Sequence, residues 1–321
     1  MTQPAWLRKA ADRAAHGSPF PEKPEPLEEV VPGRVALVDG DYLAYFASGG
    51  DNMRLDVARN VAVSRMETVK ELSGAEAVHM HLTSSGSTKG DRYLCAVTQP
   101  YQGQRKGASK PKNWEAVREF LDTAPESRLG VKRIVWLDRE ADDGIALAAY
   151  TSLDPVTQVV IHTADKDMRM LPGLHISWTD YFRTEVPKGT YEVIGDDGLV
   201  YGHKWFWMQM IMGDTADHIP GLPRWGEGKA LKTLAGTTCN EEAYEAVKGA
   251  YEKVKGDAWA DYFCEQASLL WLRQSFEVHD FIRVLPKSAV RELSVSIQRL
   301  VARVRSERAA LDRLNAESGT A

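Results

Sequence analysis

Apolar and polar positions alternate in blocks of strand length and helix length. Residues 34 to 38 (Arg34-Val35-Ala36-Leu37-Val38) form a short apolar run that stops at Asp39-Gly40-Asp41, the pattern of a buried strand ending in acid. A helical stretch is predicted from about residue 55 to 72 and a second strand from 77 to 82. A long polar, basic region then runs from Ser84 to about Lys132. A third strand at 133 to 137 leads into a helix at 141 to 151, and a fourth strand at 156 to 162 closes on Thr163-Ala164-Asp165-Lys166-Asp167. Strand followed by helix, repeated, specifies an α/β fold: a parallel central sheet flanked by helices, with right-handed crossovers.

From about Tyr201 the periodicity becomes helical, which predicts a second, helical lobe over residues 201 to 285 after a sheet domain at 33 to 200. Trp205, Trp207, Met208 and Met210 are read as packing residues of that lobe, and His81 and His162 as strand residues of the core. Over residues 286 to 321, Val290, Leu293, Ile297, Leu300, Val304, Leu311 and Leu314 keep a three-four spacing that breaks at Glu307, which predicts a short docking helix and a tail. Residues 1 to 32 hold six of the 15 prolines, a composition that favours an extended arm.

Composition changes this picture in two places. The formal net charge of -5 excludes coating of nucleic acid by overall charge, so any such partner must be met by local clusters. Three widely spaced cysteines fit neither a Cys-x-x-Cys metal site nor a disulfide framework. With no export signal and no apolar run of about 18 residues, the expected setting is a reducing cytoplasm, as a monomer away from membranes.

Parallel sheets place their sites at strand C-terminal ends, and carboxylates recur there: Asp39 after the first strand, Glu140, Asp142 and Asp143 after the third, Asp165 and Asp167 after the fourth. Each has a plainer reading. Asp39-Gly40-Asp41 suits a turn, Glu140, Asp142 and Asp143 suit a helix N-terminus, Asp165 and Asp167 a solvated loop, and Asp214 and Asp217 a cap before Pro220. If the acids converge, their repulsion calls for cations, and oxygen donors without cysteine or clustered histidine suit Mg²⁺ or Mn²⁺ rather than zinc. Two such ions supply activation of water and stabilisation of a leaving oxygen in phosphodiester hydrolysis.

Val38-Asp39-Gly40, Glu140-Ala141-Asp142-Asp143, Thr163-Ala164-Asp165-Lys166-Asp167 and the run from Gly213-Asp214-Thr215-Ala216-Asp217 to His218-Ile219-Pro220-Gly221, in that order, resemble the 5′→3′ exonuclease and flap endonuclease family. The resemblance is particularly to its phage members and the bacterial polymerase-associated nuclease domain, and covers roughly residues 34 to 235. The resemblance implies a PIN-like fold with a helical arch at 84 to 131 and a C-terminal helix-three-turn-helix lobe. It implies one Mg²⁺ near Asp39, Glu140, Asp142 and Asp165, a second near Asp167, Asp214 and Asp217, and Asp143 on the same rim. Two departures stand out. Thr83 and Ser84 occupy a place where the family commonly carries an aspartate, and Gln102 replaces the lysine of the family's Tyr-Lys-Gly-x-Arg run, with Lys106 the expected source of the missing charge. Asp41 matches no family ligand.

Between Tyr101 and Arg118 the chain carries Arg105, Lys106, Lys110, Lys112 and Arg118 against Glu115 alone, with Tyr101 and Trp114 beside them. Such a segment can neutralise phosphates and stack an unpaired base. Arg105 and Lys106 are the candidates for the scissile phosphate; Tyr101, Lys110 and Lys112 are further DNA contacts. Gly226, Gly228 and Lys229 suit close backbone approach to phosphate, and the family resemblance adds K⁺ at the helix-three-turn-helix. The expected substrate is DNA with 5′ ends or flaps, with RNA/DNA hybrid a further candidate. The residues leave open a structure-specific DNA-binding protein without catalysis and a PIN-type ribonuclease.

Overall fold

A computed structural model describes residues 29–50, 52–105, 107 and 109–318. The Pro-rich arm up to residue 28, Lys106 and residues 319–321 lie outside the described residues. The fold divides into two compact units, each assembled from separate stretches of chain. One comprises the described part of Met1–His81 with Pro111–Ile134 and Ala149–Tyr201; the other comprises Leu82–Lys110, Val135–Ala148 and the described part of Gly202–Ala321. Residues 82–110 and 135–148, grouped with the sheet domain by sequence order, thus cluster with the C-terminal helices.

The central sheet has six strands, β1 (Val31–Asp39), β2 (Ala75–Thr83), β3 (Lys132–Trp136), β4 (Val159–Thr163), β5 (Gly173–Ser177) and β6 (Arg183–Val186), in the order β3-β2-β1-β4-β5-β6. β1 runs parallel to β2, with Asp39 level with His81, and parallel to β4, with Val38 level with His162. That register brings the ends of β1 and β4 to the same edge of the sheet, so Asp39 and the loop after Thr163 emerge together. Ala36, Leu37, Val38, Val160 and Ile161 are buried, as an apolar run in a sheet covered on both faces requires. β4 begins at Val159 because Pro155–Gln158 forms a helical turn, with Asp154 accepting from the Thr157 N–H; the strand expected from residue 156 starts that much later. β5 pairs parallel with β4, and β6 returns antiparallel to β5.

Helices Gly40–Ser48 and Leu55–Ser73 bury Leu43, Ala44 and Ala47, and Ala58, Ala62, Met66, Val69 and Leu72. Much of the region read as a polar loop is ordered otherwise: Trp114–Thr123 is a helix whose Val117, Phe120 and Leu121 are buried, and it packs on Gly40–Ser48. Its three apolar positions share one face while Glu115 and Asp122 are exposed and Arg118 turns to Asp41, so a local count of charges hides a core element.

In the second unit, His203–Met212 is buried all round, with Trp205, Trp207, Met208 and Met210 in its packing; Trp207 and Phe206 meet Tyr244 and Trp271 edge-on. The helix stops at Gly213, and the chain folds back through an Asp214–Ile219 bridge to Gly221. Gly213 and Gly221 both have positive φ, 70° and 55°, and a Cβ on either would collide with the other strand's backbone; no other residue fits this crossing. Glu227–Thr233, Asn240–Lys255 and Trp259–Leu270 complete the lobe. The C-terminal helix, Ser294–Ser318, has 25 residues, longer than the short helix expected, but its burial ends at Val304. Glu307 stands where the next apolar contact was due, and the last turns run on exposed. Among the described residues no helix is long and apolar enough to cross a membrane.

Candidate active site

The first unit carries one acidic group. Asp39, at the end of β1, caps helix Gly40–Ser48 by accepting from the Asp41 and Tyr42 N–H groups at 2.9 and 3.1 Å. Asp165 does the same for the turn Lys166–Met170, accepting from the Asp167 N–H at 2.9 Å. The capping reading of these two aspartates therefore holds, and it does not by itself exclude a chemical one, since a cap uses one carboxylate oxygen. Burial, with repulsion from Asp41 and Asp165, pushes the Asp39 carboxyl up to about 8. Asp41 forms an ion pair with Arg118 at 3.2 Å, and Lys166 with Asp167 at 3.1 Å.

The second unit carries the other acids, joined into a network. Helix Ala141–Thr151 begins where the Thr83 hydroxyl accepts from the Ala141 N–H at 2.9 Å, so the residue standing near a missing family aspartate serves as a cap. Asp142 is half-buried and accepts from the Asp143 N–H at 2.7 Å. Asp143 is buried and pairs with both terminal nitrogens of Arg92, at 2.5 and 2.7 Å, while accepting from the Arg273 backbone N–H at 2.7 Å. Burial opposes charge on both partners, yet each holds the other ionised: the Asp143 carboxyl lies below its usual range and the Arg92 guanidinium well above its own.

Glu140 lies 3.2 Å from Arg92 and 3.6 Å from Lys89, but burial still raises its carboxyl above the ordinary glutamate value. The Tyr101 hydroxyl donates to Glu140 at 2.8 Å and lies 3.0 Å from Asp217. Burial and these two acids push the phenol far above its ordinary range, so it remains a donor at any physiological pH. The Gln102 amide nitrogen is 3.2 Å from each of Glu140, Asp217 and the Tyr101 oxygen, and the amide oxygen accepts from Lys89 at 2.9 Å. Arg105 pairs with Asp217, and Gln104 donates to the carbonyl of Ala216 at 2.5 Å. Asp214 is buried and accepts from the Ala216 N–H at 2.8 Å. His218, in the left-handed conformation, holds its turn through the Pro100 carbonyl.

The second unit thus brings together Glu140, Asp143, Asp217, Tyr101 and Arg105, while Asp39, Asp165 and Asp167 belong to the first. Lys110 and Lys112 are exposed, as are Gly226, Gly228 and Lys229, whose ammonium lies 4.9 Å from the Trp225 ring. Lys89, Arg92, Gln102 and Arg273 were missed as site residues by sequence. An arginine three residues after Lys89 in a polar stretch gives no signal of burial; only the surplus of acids in Glu140-Ala141-Asp142-Asp143 hinted that a buried cation was needed.

Among the described residues no group of three or more His, Cys, Asp or Glu side chains is placed to hold a metal ion. The donor chemistry fits a hard divalent cation nonetheless: burial first, and then repulsion from Asp41 and Asp165, holds the Asp39 carboxyl above its normal range, and a cation would favour its charged form.

No family model matches the chain. Its homologues are proteins named 5′-3′ exonuclease and DNA polymerase I, and its fold is that of T5 5′-exonuclease. In particular, the 5′-3′ exonuclease of Buchnera aphidicola subsp. Schizaphis graminum is 22% identical over 69% of this chain and 74% of its own. The thermostable DNA polymerase I of Thermus filiformis is 28% identical over 65% of this chain, which spans only 24% of that polymerase. T5 5′-exonuclease, in a structure with divalent metal ions (zinc) bound, superimposes with a TM-score of 0.51 at 17% identity, over 84% of this chain and 99% of that one.

Proposed function

We propose that the protein is a metal-dependent nuclease that hydrolyses DNA phosphodiesters from 5′ ends or at flaps. One observation carries this reading: the Tyr101 hydroxyl lies within hydrogen-bond reach of both Glu140 and Asp217, joining the Glu-Ala-Asp-Asp run to the Gly-Asp-x-x-Asp run, with Arg105 beside them. Those two runs are distant in sequence and fall within the segment shared with the 5′-3′ exonucleases. Acids gathered with aromatic and cationic donors suit a polyanionic substrate better than an apolar ligand.

The donors assigned to divalent ions, Mg²⁺ first and Mn²⁺ in its place, are Asp39, Asp165 and Asp167 in the first unit and Glu140, Asp142, Asp214 and Asp217 in the second. Such ions supply acidification of water and neutralisation of the phosphodiester. The protein's own part is positional. Asp143 serves as a strut, because its oxygens are engaged by Arg92 and Arg273. Tyr101 keeps its proton and fixes the Glu140 and Asp217 carboxylates. Arg105, more than half exposed, can exchange Asp217 for a phosphate oxygen when substrate arrives. Tyr101, Lys106, Lys110 and Lys112 make the arch contacts with single-stranded DNA, and Gly226, Gly228 and Lys229 those with the duplex, with K⁺ at that turn. Products carry 5′-phosphates, and the setting is replication or repair in a bacterial or phage-infected cytoplasm.

Digestion of 5′-labelled duplex, flap and single-stranded DNA, with a matched RNA and an RNA/DNA hybrid, tests the reading in Mg²⁺ and in EDTA. Release of labelled nucleotide or flap only with Mg²⁺ is expected. Tight binding without cleavage would support the non-catalytic alternative, and preference for RNA the ribonuclease.

A further inference from the structure

The chain lacks a lysine at position 102, and Lys106 was expected to make good its charge. The structure offers a different cation. Lys89 reaches the acidic network from a separate segment: its ammonium donates to the Gln102 amide oxygen at 2.9 Å and lies 3.6 Å from Glu140. The Lys89 side chain is 37% exposed, against 1% for Arg92, so of these two cations beside Glu140 it is the one open to an incoming anion.

The backbone that presents it is unusual. Lys89, Gly90 and Asp91 are consecutive residues in the left-handed region, with φ of 50°, 61° and 59°. Lysine and aspartate rarely adopt that conformation, and it persists only where surroundings over-determine it. The surroundings here do so. Ser87 accepts from the Lys89 N–H and Thr88 donates to the Asp138 carbonyl. The Gly90 N–H donates to the Asp138 carbonyl, Arg273 donates to the Gly90 carbonyl, and Arg308 of the C-terminal helix grips Asp91. A solvated surface lysine needs none of this. Strain held by several independent contacts, and aimed so that one ammonium meets a carboxylate network, is the pattern of a functional side chain.

We propose that Lys89 is a catalytic cation of the nuclease reaction, contacting the phosphate that is cleaved, with Gln102 as the residue that positions it. The assignment rests on the nuclease reading given above. Gln102 is suited to its part: one amide oxygen accepts from Lys89 while the amide nitrogen spans Glu140 and Asp217, which ties the ammonium to the acids without adding a second positive charge. A phosphate oxygen entering beside Glu140 would replace one of the lysine's present acceptors and keep the other.

The test compares the full-length protein with Lys89→Gln, Lys89→Arg and the exchange Lys89→Gln/Gln102→Lys. Three quantities are read: single-turnover cleavage of a 5′-flap DNA in Mg²⁺, binding of the same DNA in Ca²⁺ across a salt series, and thermal midpoint. Lys89→Gln should cut the cleavage rate roughly 10- to 100-fold, as loss of one transition-state contact does. It should also lower the slope of log K against log salt by about 0.7 to 0.9, the value of one phosphate contact. Lys89→Arg should keep most of both, and the exchange should recover at least about tenfold in rate by returning a cation to the same spot from the other segment. An unchanged salt slope, or an exchange variant no faster than Lys89→Gln, overturns the proposal and leaves Lys89 a partner of Glu140 only. If the unaltered protein cleaves no DNA, the nuclease reading fails, while the salt slope still decides whether Lys89 meets phosphate.

Discussion

Removing the Asp143 carboxylate isolates what one buried acid does. In Asp143→Ala, the Arg92 guanidinium, 1% exposed, loses both of its short ion-pair contacts and retains Glu140 at 3.2 Å and the carbonyls of Leu269 and Trp271. Breaking a buried pair by deleting one partner costs about 3–5 kcal/mol, because the remaining charge stays out of water. Glu140 stays close and pulls the figure toward the lower end. The Arg273 backbone N–H loses its acceptor at the same time, worth about 1–3 kcal/mol if nothing replaces it. The two losses share one cavity and will not add fully, so about 4 kcal/mol is the expected destabilisation. At roughly 2–4 °C per kcal/mol for a domain of this order of size, the thermal midpoint should fall by about 8–16 °C. The assay is a thermal melt of Asp143→Ala beside Asp142→Asn, each with cleavage measured in Mg²⁺ at a temperature where it is folded. Asp142 is half-buried and accepts from a neighbouring backbone N–H, and an amide at that position keeps an acceptor oxygen, so Asp142→Asn should melt within about 2 °C of the parent and cleave no DNA. An Asp143→Ala protein that melts normally but is inactive would refute the strut and return Asp143 to the ligands.

Other perturbations separate the remaining roles. Asp165→Ala should abolish cleavage while flap binding in Ca²⁺ survives, and retained turnover would count heavily against the assigned donors. Gly213→Ala forces a Cβ against the Ile219 carbonyl and the Gly221 nitrogen at φ 70°, and should cost about 3 kcal/mol or more; a circular-dichroism melt unchanged from the parent contradicts this. Arg308→Ala should slow cleavage severalfold by loosening the turn that carries Lys89, with a stability change of only roughly 1 kcal/mol; equal rates in a single-turnover assay would separate the C-terminal helix from the site. Acid should unfold the protein through its histidines. Burial pushes His162 down to about 3 and His175 and His203 to about 4, below the unfolded value near 6.5. As pH falls below 6.5 the unfolded chain takes up protons that the folded chain refuses, so stability present above 6.5 is lost toward pH 4, at up to about 1.4 kcal/mol per pH unit for each histidine. Urea midpoints from pH 6.5 to 4.5 should show that decline, and His203→Gln should flatten it.

Much of the sheet was legible because buried parallel strands are short apolar runs with hard ends: β1 stops at Asp39 and β4 at Thr163, as their sequence predicts. β5 and β6 were not legible. His175 and Thr184 interrupt their apolar pattern, and both are buried only because the fold gives the histidine the Leu171 carbonyl and sets Thr184 beside Tyr201. Helix Trp114–Thr123 was hidden for the opposite reason, since three buried residues sit among charges that dominate any local count.

The same asymmetry governs the site. Acids could be placed from sequence because they follow strand ends and cluster in short runs, whereas their cations could not, because a cation reaches its acid from anywhere in the chain. Arg92, Lys89 and Arg273 come from segments that carry no pattern of their own, and each meets the acids only after the second unit folds. Their arrival changes what the acids mean. Asp142 and Asp143 are adjacent in one motif, but successive helical residues point about 100° apart. One turns inward to Arg92 and the other remains half-exposed, so two adjacent acids of one motif end in different surroundings. The buried arginine accounts for part of the acid in this run: Asp143 pairs with the Arg92 guanidinium that sits beside Glu140, and the proposed ligand role falls to its neighbour Asp142.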